Sequence, residues 1–527
     1  MDCKRSLSRH PILWSSLCMS TRQTLFCAWA RKYIITANES IQGSLSDRFG
    51  KKIFMVGGCA LGIAGSLISA TAHSVQRIIG GNILSGVATA GCIISIAANQ
   101  EITPNKIRPY VMGFNQAVAS LMALMGTFSA AAFVKNNTGG AGGWRWAYYL
   151  NAIVFGITGL GIAATYFPPP TKMRRENYVK SLVASVDYVG ILLLAGSLAS
   201  LIIGLTWGGS TYPWSSGHVV APLTVGCVGL LSFGIYEWKF CDNGLFDHRL
   251  LQTMNFPILL FVCTIDGMLL LGVNVLYAQE IADLFTTDAV RIAVILCPYL
   301  ITSTLGCIPA GWIMGKTKSY RTLLVASLIW ASLFTGLMAL INKDRLSMAY
   351  AFSALFGIGT AVTTVIPIVA LTLSVPSFLL GTAGTLSISC RALGGIIGIT
   401  IFTAIFNNRL ASLATPSISK VLIESGAPVP LPAVLGALSV GDPHALLPLG
   451  LPEVVNEALL GTYAVARQNS WTYVWVAVST LVFVNAIFCC FLKPVRDNMN
   501  AHVESALEES EVRREQMVGL SAKLGTN

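Results

Sequence analysis

The chain has 527 residues, 54% of them hydrophobic and 11% charged, with a formal net charge of +11. Soluble globular chains carry about 25% charged residues, so this composition excludes an ordinary soluble enzyme. The basic excess is spread between apolar runs, which suits loops facing anionic lipid and not nucleic acid.

Residues 1–42 read as an aberrant or truncated N-terminal segment, because Arg22, Gln23, Arg31 and Lys32 interrupt the apolar stretch between 11 and 35. At most one poor span fits there. Next comes GSLSDRFGKK, residues 43–52, with one acid and three bases packed between apolar runs. Gly43 lets two helix ends approach, and Gly50 permits a tight backbone. Asp47 is placed to cap the following helix, while Arg48, Lys51 and Lys52 hold the loop on the cytoplasmic side.

A helix needs about 20 apolar residues to cross a bilayer. Twelve runs meet that need, at 53–73, 78–98, 111–134, 146–167, 187–206, 219–238, 256–277, 291–314, 322–341, 349–374, 381–406 and 471–492. With 43–52 inside, fourteen Lys and Arg fall in short inside loops and six in short outside loops (Arg77, Lys135, Arg145, Arg291, Lys343, Arg345). That bias fixes the hand of the insertion. The expected units are 43–167, an incomplete first bundle; 168–240, a basic connector and two linker spans; and 241–406, five spans of a second bundle. A long extracytoplasmic loop at 407–470, a last span at 471–492 and a cytoplasmic tail at 493–527 complete the chain.

Charged groups inside spans invite a functional reading. Asp266 lies in FVCTIDGMLLLGVNVLY, where a desolvated carboxylate can exchange protons, or pair with Arg391 across the second bundle. Arg391 lies in SISCRALGGIIGITIF, where it either faces a central cavity or bonds helix carbonyls structurally. Gly394, Gly395 and Gly398 beside it allow close helix contact. Asn82, Gln116, Asn274 and Tyr277 are candidates for a polar path, or else structural hydrogen-bonders. The sequon at Asn136 falls outside and is a candidate glycosylation site. The thirteen Cys form no CxxC and the His are isolated, so no metal, disulfide framework or cofactor is expected. AGWIMGKT, residues 310–317, misses the phosphate-loop spacing and ends a span, so no ATP is expected.

GSLSDRFGKK resembles the signature loop of the major facilitator superfamily, which joins the second and third spans. GWIMGKTKSYR, residues 311–321, is a weaker echo at the matching place in a second repeat. GGWRWAYYLN, residues 142–151, resembles the start of the sixth span in fourteen-span drug:proton antiporters, and its motif residues are Trp144, Arg145, Trp146 and Asn151. LTWGGSTYPWSSGHV and LYAQEIADLFTTD resemble the fungal trichothecene efflux pump group.

The resemblance implies an all-α integral membrane protein with a major facilitator fold and about twelve recognisable helices of fourteen. It implies a monomer that exports a small organic toxin or drug by proton antiport, in the plasma membrane or the vacuolar membrane. Siderophore-iron import by the same fold is the alternative. A truncated, non-transporting protein is another, since the first span of this superfamily lines the cavity. The chain as written is therefore expected to transport poorly. Two positions depart from the family pattern: Asn82 to Gly86 replaces an R-x-x-Q-G motif, and the stretch around Gly126 lacks the usual Gly-Pro pair.

Overall fold

In a computed structural model, residues 46, 50–136, 143–167, 187–208, 212–239, 254–286, 288–375, 380–425, 429–439 and 451–493 are described. Gly43, Leu45, Asp47, Arg48, residues 1–42, most of the basic connector and the tail beyond 493 lie outside them. The fold is all-α. Helix α1 covers Lys51–Ala70, α2 Val75–Ile102, α3 Arg108–Lys135 and α4 Arg145–Thr165. Helices α5 (Tyr188–Trp207) and α6 (Gly217–Lys239) follow. The seventh expected span is α7 (Asn255–Gly267), a π-helical segment (Met268–Val273) and α8 (Asn274–Leu284) in series. Helices α9 (Ala289–Thr317), α10 (Tyr320–Met338), α11 (Leu346–Leu373), α12 (Leu380–Ser425), α13 (Leu431–Ser439) and α14 (Glu453–Cys489) complete the described chain.

Each expected span coincides with a helix. Among the described residues, eleven helices are long and apolar enough to cross a membrane, and α5 offers the shorter stretch Val189–Leu205. Their outward faces carry exposed apolar side chains such as Ile157, Leu192, Leu231 and Val228, as lipid contact requires.

Helices α1, α2 and α4 pack together, and α7 to α12 with α14 form a second bundle. Its core contains Leu259, Val262, Phe356, Val365, Trp475 and Val478. The two bundles meet along α3 and α9. A Cβ on Gly113 would fall 2.6 Å from the Cys307 carbonyl, and one on Gly311 would strike the Pro109 carbonyl, so these glycines permit the close crossing. At the far end of the same seam Lys135 Nζ lies 3.4 Å from Asp288 Oδ2. Helices α5 and α6 form a hairpin whose apolar core (Leu194, Leu198, Phe233) packs against Leu393 of α12.

The expected loop at 407–470 is corrected. Helix α12 runs on for 46 residues, about 69 Å at 1.5 Å per residue, more than twice a ~30 Å bilayer core. α13 and the first turns of α14 fold against its extension. Leu410, Ala414, Ile418 and Leu422 recur at helical spacing and pack with Val434, Leu438 and Leu459 in a separate apolar core. The partial helical periodicity of this Pro- and Ala-rich stretch is the sequence signal for these helices, and Pro416 obscures it by lying inside α12, where proline is usually a breaker.

Candidate functional site

The second bundle is organised around the crossing of α7 and α12. A Cβ on Gly267 would collide with the carbonyl of Arg391, and a Cβ on Gly394 with the carbonyl of Thr264. Reciprocal glycines thus bring the backbones together and set Asp266 opposite Arg391. Arg391 Nε lies 2.8 Å from Asp266 Oδ2, with side-chain exposures of 10% and 1%. Helix α11 completes the site from the third side. Thr363 Oγ1 donates to Asp266 Oδ1 at 2.7 Å, and Arg391 Nη2 donates to the Thr364 carbonyl at 3.0 Å. Desolvating two such charges costs several kcal/mol per ion, which pairing offsets only when geometry is good. A buried pair of this kind is a weak source of stability and a strong candidate for chemistry.

The π-helical segment begins directly after Gly267. Such segments leave carbonyls outside the regular ladder and cluster at functional sites. Within this segment the Leu270 carbonyl accepts a 2.6 Å bond from Asn274 Nδ2. Tyr299 of α9 stacks on Phe356 at 5.6 Å, and its hydroxyl faces Thr360 and Asn274. Tyr277 donates to the Ala349 carbonyl at 3.0 Å and meets the Trp475 ring edge-on, so its hydroxyl is committed to packing α8 on α11 and α14.

The outer end of α8 carries two acids that the residue-by-residue reading passed over. Glu280 is 1% exposed. Asp283 accepts from Arg467 Nη2 at 2.6 Å and from Trp471 Nε1 at 3.1 Å. The expected end of the span at 277 left all of these outside the membrane. The helix instead continues to Leu284, although Gln279, Glu280 and Asp283 interrupt its apolar residues and give this stretch the composition of a span end.

The motif residues of the first bundle serve as staples. Lys52 Nζ donates to the Ala163 carbonyl at 3.0 Å and sits 3.6 Å from the Phe167 ring centroid. At the other end of the same helix pair, Arg145 Nη2 donates to the Ala72 carbonyl at 2.9 Å, and Asn151 Nδ2 to Ser66 Oγ at 2.9 Å. Trp144 and Trp146 meet Tyr148 and Tyr149 edge-on. Gly50 precedes α1 with φ 93°, a conformation that favours glycine. Lys51 is buried at that end. Asn82 is buried on α2 and Gln116 half-buried on α3. Neither bonds to the Asp266–Arg391 pair. Asn136 follows α3 directly, while its sequon partner Thr138 lies outside the described residues.

Two helical bundles joined by a hairpin of linker helices, with a charge pair inside one of them, define a major facilitator-type membrane transporter. The solved structure of the proton:xylose symporter XylE shares this fold at a TM-score of 0.56 and 12% identity, over 92% of this chain and 88% of that one. The sequence model described as "Fungal trichothecene efflux pump (TRI12)" matches residues 3–511. The chain belongs to that family. It is 28% identical to the MFS-type transporter gkaD of Penicillium citrinum over 74% of this chain and 66% of that protein, just under two thirds. It is 26% identical to the efflux pump FUS6 of Gibberella moniliformis over 92% of this chain and 83% of that protein.

Proposed function

We propose that this chain is a secondary active exporter that moves a small organic toxin or secondary metabolite out of the cell in exchange for protons. The observation that carries the reading is the buried Asp266–Arg391 pair, braced by Thr363 and Thr364 at a glycine-lined helix crossing. Protonating Asp266 cancels the attraction that holds Arg391. The guanidinium is then left to a single backbone carbonyl, and the contact of α7 with α12 loses its electrostatic preference for one arrangement. Two bundles rocking around a central site convert that change into alternating access. The exporter works as a monomer in the plasma membrane and uses no ATP.

The test is retention of a radiolabelled trichothecene in yeast lacking their own drug pumps. Cells making the full chain retain less label than empty-vector cells, and a protonophore removes the difference. Equal retention with and without the chain, or efflux indifferent to the protonophore, contradicts the proposal.

A further inference from the structure

Glu280 is a buried acid that the Asp266–Arg391 pair does not account for. It is 1% exposed, in a helix that crosses the membrane. Its Oε2 is sealed from solvent and makes no well-formed hydrogen bond, and the donor set against the carboxyl is the neutral Trp475 indole N–H. The groups that face it are Trp475 of α14 and, on its own helix, Asp283 and Tyr277. From α11, Tyr350 and Ser353 face Tyr277. None of these is a cation, and the nearby Arg467 is paired to Asp283. Asp283, one turn away, thus has the cationic partner that Glu280 lacks. A carboxyl in such a place sheds its charge by binding a proton.

Glu280 also ends a polar column. Asn274, Tyr277 and Glu280 recur every three residues and share one stripe of α8. Asn274 and Thr360 face the Tyr299 hydroxyl, and Thr363, one turn from Thr360, donates to Asp266. Fourteen residues separate Asp266 from Glu280, roughly 20 Å along a helix, too far for direct transfer; the hydroxyls of Tyr299, Thr360 and Thr363 cover the Asp266 end of that distance, and water would have to cover the Glu280 end. Its Glu280 end lies on the side that the Lys/Arg bias assigns to the exterior.

We propose that Glu280 is a proton-binding residue of the transport cycle, the outer terminus of a column that delivers protons to Asp266. One proton leaves extracytoplasmic water and binds a carboxylate oxygen of Glu280. It passes inward over the Tyr299, Thr360 and Thr363 hydroxyls, with water admitted as the bundles part, to an oxygen of Asp266. Glu280 returns to the anion, and each relay hydroxyl gives up one proton as it gains another. The inference rests on the antiport reading.

Two measurements on the full chain test it. The first is infrared difference spectroscopy of the purified protein across a pH titration, which needs no substrate. A carbonyl stretch from protonated, buried carboxylic acid is present in the wild type, loses its Glu280 component in Glu280→Gln and keeps that component in Asp266→Asn. A band unchanged in Glu280→Gln overturns the proposal. The second uses proteoliposomes and radiolabelled trichothecene. Glu280→Gln exchanges label across the membrane at the wild-type rate without a proton gradient, while accumulation driven by the gradient falls about tenfold or more. Undiminished accumulation overturns the proposal, and so does parallel loss of exchange and accumulation, which marks a structural role. A wild type that exchanges but never accumulates label defeats the antiport reading instead, and the infrared result still decides whether Glu280 binds a proton.

Discussion

The two bundles use charged side chains in opposite ways. In the first, Lys52 and Arg145 sit at the ends of helices and donate to backbone carbonyls, Ala163 and Ala72, where α1 is tied to α4. Each lies in the first turn of its own helix but meets the partial negative charge at the C-terminal end of the partner helix, near the membrane surface. In the second, Asp266 and Arg391 face each other at the centre, cut off from water. Terminal charges make a bundle rigid. Central charges cost free energy that a changing interaction can repay, which is why the coupling we propose is placed in the second bundle.

The largest effect is expected at the central pair. Arg391→Ala leaves Asp266 buried and unpaired, and should cost about 3–5 kcal/mol of stability. Replacing both, with Asp266→Leu and Arg391→Met, should restore stability to within about 1 kcal/mol of wild type while transport stays lost. Thermal unfolding in detergent reads both. A double variant as unstable as Arg391→Ala would mean that the pair is structural.

The next largest effect tests the crossing itself. Gly394→Ala places a methyl group against the Thr264 carbonyl, and overpacking of this kind costs about 1–3 kcal/mol. Gly126→Ala meets open space and should leave the unfolding temperature unchanged. Equal behaviour of the two variants would remove the close α7–α12 contact from the account.

The end staples should matter less and only for stability. Arg145→Ala loses one charge-assisted hydrogen bond, worth about 1.5–3 kcal/mol at most, and Lys52→Met loses about 1 kcal/mol. Both should keep the ratio of gradient-driven to gradient-free transport. A changed ratio would blur the division between the bundles.

The smallest effect lies at the seam. The Val290 backbone N–H, with help from Lys135, holds the exposed Asp288 carboxyl below the usual aspartate range. The folded state therefore binds this proton less readily than the unfolded chain. The contribution is complete above the ordinary aspartate value and is lost as pH falls through the lowered one. Asp288→Asn should flatten that part of the stability profile, measured by unfolding between neutral and acid pH. An unchanged profile would show that Asp288 adds nothing there.

Much of the fold was legible in the sequence, because each span is an apolar run bounded by polar turns. Asp266 and Arg391 stood out for the same reason, as charges interrupting such runs. What could not be read was their brace, since Thr363 and Thr364 look like any other threonines of an apolar helix until α11 is placed beside α7 and α12. Glu280 was hidden by its neighbours: Tyr277, Gln279 and Asp283 give α8 the composition of a span end. The motif residues Arg145 and Asn151 were readable as a pattern, but their partners Ala72 and Ser66 lie more than seventy residues away and carry no signal of their own.

The most direct test of coupling in the second bundle is Asp266→Asn in proteoliposomes, with radiolabelled trichothecene and an imposed proton gradient. Gradient-free exchange should persist while gradient-driven accumulation disappears, because the amide fixes position 266 in an uncharged form. Accumulation at the wild-type level would contradict the proposed coupling.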